Sequence, residues 1–237
     1  MARTYEPHTG HRSVSGGLAR ASVFGVSDGL VSNVSLILGF AGSGVDNTVV
    51  RLAGLAGAVA GAISMAAGEW VSVTSQNDLI QRELAVERRE LVHNREHETQ
   101  ELAAIYESHG MAPDRAAAAA EDVMREPKIA LAVHAREELG IDPDDLPSAV
   151  WAAGLSLICF VFGAFLPLAP FYITSGTTAA LMALSIGVVA AAGVGTIVAR
   201  YAERPLWFGA IRQVVIVLVA CGVTYAIGEL VGVNLAG

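Results

Sequence analysis

Charge is scarce in this sequence of 237 residues, since Asp, Glu, Lys and Arg make up 16% whereas 53% of the residues are apolar. Soluble domains carry about 25% charged residues, so an ordinary water-soluble fold is not indicated. The charge is also unevenly placed. Residues 75–147 hold 17 of the 23 acids and 8 of the 15 Lys and Arg, a net charge of −9, and the remainder has 7 basic and 6 acidic residues. This distribution is typical of a membrane protein with an acidic soluble insert.

Several other features are missing. The two cysteines, Cys159 and Cys221, lie in apolar segments without CxxC spacing, so we interpret them as buried thiols and not as a redox or zinc site. No nucleotide-binding loop, phosphate cradle or nucleophile–base pair stands out. We therefore predict no enzymatic activity, and no nucleic-acid partner. The segment RTYEPHTGHRSVSGG has no apolar run, and we expect no cleavable signal peptide.

Long hydrophobic runs are present instead. Residues 148–199 contain no charged side chain over 52 residues, and a helix needs roughly 20 residues to cross a bilayer. This run therefore contains two spans, with a turn near PLAPFYITSGTT. Three further spans are predicted at residues 21–41, 50–72 and 210–233. The fold class predicted is an all-α integral membrane protein with five transmembrane helices and a helical insert between the second and third.

The arginines predict the orientation of the spans, because cytosolic loops carry an excess of Lys and Arg. Those on one side are Arg3, Arg12, Arg20, Arg200, Arg204 and Arg212, whereas Arg51 is the only basic residue on the other. The N-terminus and the insert are then cytosolic, and the C-terminus lies outside the cell (inner) membrane. The predicted domains are a cytosolic N-terminal segment, two spans, a cytosolic metal-binding domain and three spans, at residues 1–20, 21–74, 75–147 and 148–237.

The insert is predicted to be helical. Residues 76–109 contain no proline or glycine and are rich in good helix formers, so we predict one helix that continues from the second span. Gly110 and Pro113 end it. The string PDRAAAAAEDVMRE begins another helix, which Pro127 either kinks or breaks.

The stretch ERRELVHNREHETQE in the first insert helix is rich in glutamate. At about 100° per residue, four of the glutamates share a stripe within roughly 80° of arc and form two i, i+3 pairs. They are Glu87, Glu90, Glu98 and Glu101. Like charges at this spacing repel, and a bound cation removes that penalty. The alternative is a solvated face whose acids pair with nearby arginines.

A second candidate ligand pair lies on the last insert helix, where His134 and Glu138 are at i, i+4. Carboxylate plus imidazole suits Fe²⁺, Mn²⁺ or Zn²⁺ better than Mg²⁺ alone or Cu⁺. If His134 is a ligand, metal affinity should fall as the pH drops through about 6.5, where an unperturbed histidine gains its proton.

Two of the spans carry residues suited to holding an ion at membrane depth. Asp28 lies in FGVSDGLVSNVSLILG, and an acid in a span must be paired, protonated or metal-bound. Met65 and Glu69, in GAISMAAGEWVSVTSQND, are at i, i+4 and share a helix face. Met65 alone is also typical of a gap-filling core residue. We predict that these three residues line a transport path.

These residues lie in strings that resemble the vacuolar iron transporters and their bacterial relatives. The matching strings are SDGLVSN, AGAISMAAGEWVSVTSQ, the paired ExxE motifs and HAREELGID. The resemblance implies a homodimer that moves Fe²⁺, Mn²⁺ or both out of the cytosol between its two copies, while protons move the other way. It implies no permanent cofactor beyond the bound or transported ions, with Zn²⁺ as a further candidate.

The resemblance also assigns roles to residues. Asp28 and Met65 would bind the transported ion. The insert would collect metal at Glu87, Glu90, Glu98, Glu101, His134 and Glu138, and no ligand role falls on His93, His97 or His109. This sequence departs from the family in having His134 in place of a methionine. It also has Gly57 where some members carry a membrane glutamate linked to proton coupling, and Glu69 is the candidate substitute.

Two other kinds of protein share some of these features. A membrane-anchored ferroxidase or iron store would use the ExxH motif of Glu90 and His93, but a ferritin-like di-iron site needs two such motifs on four long helices. An acidic membrane scaffold that binds a basic protein would explain the insert, but it leaves Asp28 and Met65 unexplained.

Overall fold

The computed structural model describes residues 17–235, and within that range it is all-helical. Five of its helices are long and apolar enough to cross a membrane. They are α1 (Gly17–Gly42), α2 (Asn47–His93), α6 (Ala149–Leu168), α8 (Gly176–Tyr201) and α9 (Leu206–Leu235). The prediction of an all-α membrane protein with five spans is confirmed. Arg3, Arg12 and most of the predicted segment 1–20 lie outside the described residues.

The shorter helices occupy two of the connections that carry prolines. Three of them lie between α2 and α6, and one follows α6. They are α3 (Arg95–Ser108), α4 (Pro113–Met124), α5 (Pro127–Glu137) and α7 (Pro170–Ile173). The chain divides into two compact units. We call residues up to Trp70 together with those from Val150 onward the membrane unit, and Val71–Ala149 the insert.

Helix α1 is the central helix of the membrane unit. It is the least apolar of the five spans. Within its most apolar stretch of 18 residues 44% is buried, against 17–28% for the same stretch of the other four spans. Leu30 and Val34 are fully enclosed by side chains of α8 and α9. Because a polar residue facing lipid is costly, a span with several polar residues is best placed among the others.

Close backbone contact holds α1 against α6. A Cβ atom on Gly29 would clash with the carbonyl oxygen of Phe160, and one on Gly163 would clash with the carbonyl oxygen of Val26. Asn33 adds a hydrogen bond, because its Nδ2 donates to the carbonyl oxygen of Ala164 at 2.7 Å. Small residues thus allow the approach, and an amide fixes the register.

The insert differs from the prediction at one residue. The single helix expected over residues 76–109 is interrupted at Asn94, where α2 ends and α3 begins, so that part of the prediction was wrong. Asn is a weak helix former because its side chain competes for backbone hydrogen bonds. Gly110, with a φ of +90°, follows α3 as expected, and Pro127 breaks the next helix into α4 and α5.

Two small apolar clusters support the insert. In one, Ala135 of α5 packs on Ile80 and Leu84 of α2. In the other, Leu91 packs with Met124 and Ala130. Both clusters pack α5 on the second half of α2.

The α1–α6 contact predicts the effect of a methyl group at Gly29. Gly29→Ala places a Cβ against backbone that cannot move aside, and we expect a loss of about 1–3 kcal/mol of stability. The matched control is Gly154→Ala on α6, because no heavy atom lies within 4 Å of that Cβ position. The control should be neutral or stabilising by up to ~1 kcal/mol, because alanine favours helix. Thermal unfolding in detergent measures both, and equal midpoints would contradict the close contact.

Candidate metal-binding sites

Four side chains from three helices meet inside the insert. Glu87 comes from α2, Glu98 from α3, and His134 from α5, while Glu138 caps the end of α5. One ligand atom of each lies within 4.8 Å of the others, and we call these four residues the insert cluster. The bend at Asn94 separates α3 from α2, so Glu98 reaches the cluster from a different helix than Glu87. The group is therefore a pocket between helices rather than a stripe along one.

The histidine at the centre of the insert cluster is fully buried. Its Nδ1 lies 3.1 Å from Glu87 Oε1, 3.5 Å from Glu138 Oε1 and 3.8 Å from Glu98 Oε2. His134 is 0% exposed, Glu87 5% and Glu98 4%. Neither ring nitrogen of His134, nor Glu87 Oε1, has a partner in hydrogen-bonding geometry. Buried polar atoms normally have partners, and a divalent cation would satisfy Glu87 Oε1 and one of the two ring nitrogens together.

Burial and like charges set the protonation of the insert cluster. Burial, followed by repulsion from neighbouring glutamates, raises the pKa of Glu87 to about 7. Burial also raises the pKa values of Glu98 and Glu138. It lowers the pKa of His134, against the attraction of Glu98 and Glu101. His134 is thus neutral and able to bind a metal near neutral pH. We therefore expect the pH dependence of metal binding near pH 7 to come from Glu87 rather than from His134.

The remaining predicted ligands lie at the edge. Glu90 and Glu101 are exposed and are not members of the insert cluster, although their charges raise the pKa of Glu87. Glu101 belongs to a second group with Glu98 and His97, whose Nδ1 lies 3.7 Å from a carboxylate oxygen of each. His97, to which no role was assigned, is therefore closer to the acids than expected.

The arginines do not neutralise the insert cluster. Among the described residues, Arg82 pairs with Glu83, Arg136 pairs with Asp142, and the guanidinium of Arg95 donates to the carbonyl oxygen of Met124. The solvated-face interpretation fits the exposed Glu90 and Glu101, but it does not fit Glu87 and Glu98, which are buried without an arginine partner. The insert cluster is negative and has the ligand types of a transition-metal site.

A separate cavity in the membrane unit collects the other predicted residues. It has a volume of about 440 Å³, and α1, α2 and α6 contribute its walls. We call it the α1–α2 cavity. Its polar lining consists of Asp28, Ser32, Asn33, Ser64 and Glu69, and Met65 lines it as well. The structure therefore brings Asp28, Met65 and Glu69 to one space, although they come from two helices.

Each of these three residues has a distinct setting. Asp28 is exposed on the single chain. Met65 packs partly against the apolar contact between α2 and Phe160 of α6, so it serves the core and lines the cavity. Glu69 is more enclosed than Asp28, with 13% of its side chain exposed, and it pairs with Arg20 at 3.2 Å. That pair was not predicted, because the two residues are 49 positions apart.

Comparison with known proteins identifies the family. A model of the VIT family matches residues 19–229, which is most of the chain. The chain belongs to the VIT family. Vacuolar iron transporter 1 of Oryza sativa subsp. japonica is 28% identical over 231 residues, which cover 97% of this chain and 92% of that protein. The vacuolar iron transporter of Acanthamoeba castellanii is 34% identical over 231 residues, covering 93% and 82%.

Family membership and the five spans make this a multi-pass membrane protein. Within this VIT-family chain, sequence reasoning missed three polar residues of the α1–α2 cavity, Asn33, Ser32 and Ser64. The first two stand in the string SDGLVSN. A polar residue one turn or so from a membrane acid was the available signal, because polar groups in a span usually face the protein interior.

The raised pKa of Glu87 predicts proton release when metal binds. The folded pKa lies above the usual 4.5, so Glu87 takes up its proton as the pH falls through about 7. Below that pH a metal ion must displace the proton. Wild-type protein in detergent should release about 0.9 of this proton at pH 6 and about 0.1 at pH 8, as a group of pKa 7 would. Mn²⁺ calorimetry in buffers of different ionisation heat measures the release.

Glu87→Gln should remove most of that difference between the two pH values and also weaken binding. Glu83→Gln, a half-exposed acid on the same helix, is the matched control and should behave as wild type. Proton release that is the same at pH 6 and pH 8 in the wild type would show that Glu87 is not the competing group.

Proposed function

We propose that this protein exports Fe²⁺, Mn²⁺ or both from the cytosol across the cell inner membrane in exchange for protons. The observation that supports it most is the α1–α2 cavity, where two carboxylates and a thioether meet between the spans. Oxygen and sulfur ligands together favour borderline divalent ions over Mg²⁺ or Ca²⁺. Relatives that cover nearly the whole chain are named iron transporters.

The cavity residues have separate proposed roles. Asp28 supplies the negative charge that draws a cation into the membrane unit, and Met65 adds a soft ligand. Glu69 carries the exchanged proton, because Gly57 has no side chain to do so. An entering cation competes with Arg20 for the Glu69 carboxylate. When Glu69 takes up a proton it loses its charge, and with it the attraction for both Arg20 and the metal ion. Proton entry and metal release are therefore coupled through one carboxylate.

The exposure of Asp28 supports the proposal of a homodimer. On the single chain this carboxylate is exposed although it lies in a span, and a charge facing lipid costs several kcal/mol. A second copy facing the α1–α2 cavity removes that cost and encloses the path. We therefore propose that transport runs between two copies.

The insert is proposed to gather metal in the cytosol before transport. Its cluster concentrates three carboxylates around a neutral imidazole, with the edge acids Glu90 and Glu101 adding attraction. The iron-store alternative receives no support from the ExxH motif, because His93 is exposed, its Nδ1 lies 2.8 Å from the carbonyl oxygen of Arg89, and it is outside both acid groups.

Asp28 is predicted to be essential for transport. Asp28→Asn keeps the shape of the side chain but removes its charge, so uptake of Fe²⁺ and Mn²⁺ should fall to background. The measurement is uptake into proteoliposomes with an imposed pH gradient, after size-exclusion chromatography has shown a folded protein. Asp46→Asn is the matched control, because Asp46 caps α2 through Thr48 and asparagine caps helices equally well. Wild-type uptake by Asp28→Asn would refute the role.

The insert is predicted to set affinity rather than maximal rate. Changing Glu87, Glu90, Glu98 and Glu101 to Gln should weaken metal binding at least about 10-fold, as lost metal contacts do. Transport should then slow at low ion concentration while the maximal rate persists, because Asp28 and Met65 are intact. The control changes four exposed insert acids outside both groups, Glu96, Glu107, Glu121 and Glu126, and removes the same charge. If both quadruple variants bind alike, only general charge matters.

A further inference from the structure

The lining of the α1–α2 cavity includes a buried amide that the proposed transport path does not use. Asn33 is 2% exposed and lines the cavity. Its Nδ2 donates to the carbonyl oxygen of Ala164, and this bond directs Oδ1 away from α6. Oδ1 is buried and has no partner in hydrogen-bonding geometry. An unsatisfied acceptor in a protein interior costs about 1–3 kcal/mol, so its presence calls for a ligand.

We propose that Asn33 Oδ1 is a ligand for the transported divalent cation at a second position along the path, beyond Asp28. The inference rests on the proposed transport function. Asn33 is five residues after Asp28 on α1, which places it about 7.5 Å further along the helix axis. One ion therefore moves from Asp28 to Asn33 rather than binding both tightly at once.

The facing helix carries no side chain of its own beside Asn33. Gly57 of α2 lies opposite, and a Cβ atom there would lie 3.2 Å from Oδ1 and would clash with Leu36. The side chain of Leu36 therefore packs against Gly57 and closes Oδ1 from the cavity, which Leu36, Gly57 and Gly61 all line. An ion at Oδ1 requires Leu36 to change rotamer, and Gly57 adds no side chain that would oppose this.

The chemistry of an amide oxygen suits a transit position. It is a hard, neutral ligand that divalent cations accept, and it replaces part of the hydration shell without adding charge. Conduction needs sites that bind weakly enough to let the ion go, and a single oxygen ligand meets that need. Asp28 captures the ion, and Asn33 passes it on.

A second asparagine provides the comparison that isolates this role. Asn47 of α2 also donates through Nδ2 to a backbone carbonyl, that of Phe171 at 3.0 Å, and its Oδ1 also lacks a partner. It lines a different cavity, whose walls carry no acidic side chain. Loss of Asn47 therefore removes the same kind of hydrogen bond without touching the proposed path.

The test measures Mn²⁺ uptake by full-length protein in proteoliposomes with a pH gradient. Asn33→Leu removes both amide groups and should lower turnover about 10-fold or more, as the loss of a metal contact does. The KM should change little, because capture at Asp28 and in the insert persists. Asn33→Asp keeps an oxygen but loses the Nδ2 donor to Ala164, and it should recover most of the turnover. Asn47→Leu should transport as wild type.

The outcomes separate coordination from a structural role. If Asn33→Asp is as slow as Asn33→Leu, the amide only fastens α1 to α6, and the proposal is overturned. Wild-type turnover in Asn33→Leu overturns it as well. If Asn33→Leu does not fold, a folded Asn33→Asp decides by its turnover, high supporting the ligand role and low refuting it. Wild-type liposomes that move no ion would instead refute the proposed transport function, and this inference with it.

Discussion

The backbone contact between α1 and α6 positions every polar residue of α1 that faces the cavity. Gly29 and Gly163 let the two helices touch, and the Asn33 amide bonds across the contact. With α1 held among the other spans, Asp28 and Asn33 face α2 at the α1–α2 cavity. A polar helix is stable in a bilayer only when other helices shield it, so this contact is the condition for having a cavity at all.

In the insert, by contrast, the packing of the helices brings like charges together. Burial raises the pKa values of Glu87, Glu98 and Glu138, and repulsion from neighbouring glutamates raises all three further. The neutral His134 at the centre keeps both ring nitrogens without hydrogen-bond partners. Such an arrangement is costly without a cation and favourable with one, since metal binding stabilises whatever fold holds its ligands in place.

The two proposed metal positions differ in how tightly they would hold an ion. The insert cluster offers three carboxylates and an imidazole, and the burial of Glu87, Glu98 and His134 suits retention. The α1–α2 cavity offers one carboxylate and one thioether on a wider surface, with a second carboxylate already paired to Arg20. Tighter binding proposed for the insert and weaker binding proposed along the path agree with the proposed function of gathering ions and then moving them.

Local signals in the sequence were enough for the helices. The length of an apolar run determines whether it crosses a bilayer, so the five spans and the proline turn near Pro167 and Pro170 could be predicted. The break at Pro127 follows from its missing N–H. The break at Asn94 could not be foreseen, because a single weak helix former interrupts a helix only when packing of the flanking segments favours it.

The candidate metal-binding residues, too, could be predicted only in part from the sequence. Residue types and spacing were sufficient to select Glu87, Glu98, His134 and Glu138, because ligand chemistry is a property of side chains. Only the tertiary structure decided that Glu87 and Glu98 are buried while Glu90 and Glu101 face solvent, since the two pairs share the same local pattern. It also decided that Arg20 pairs with Glu69 and that Asn33 Oδ1 faces Gly57. These contacts join residues far apart in the chain, and their geometry depends on how whole helices pack, which no local pattern encodes.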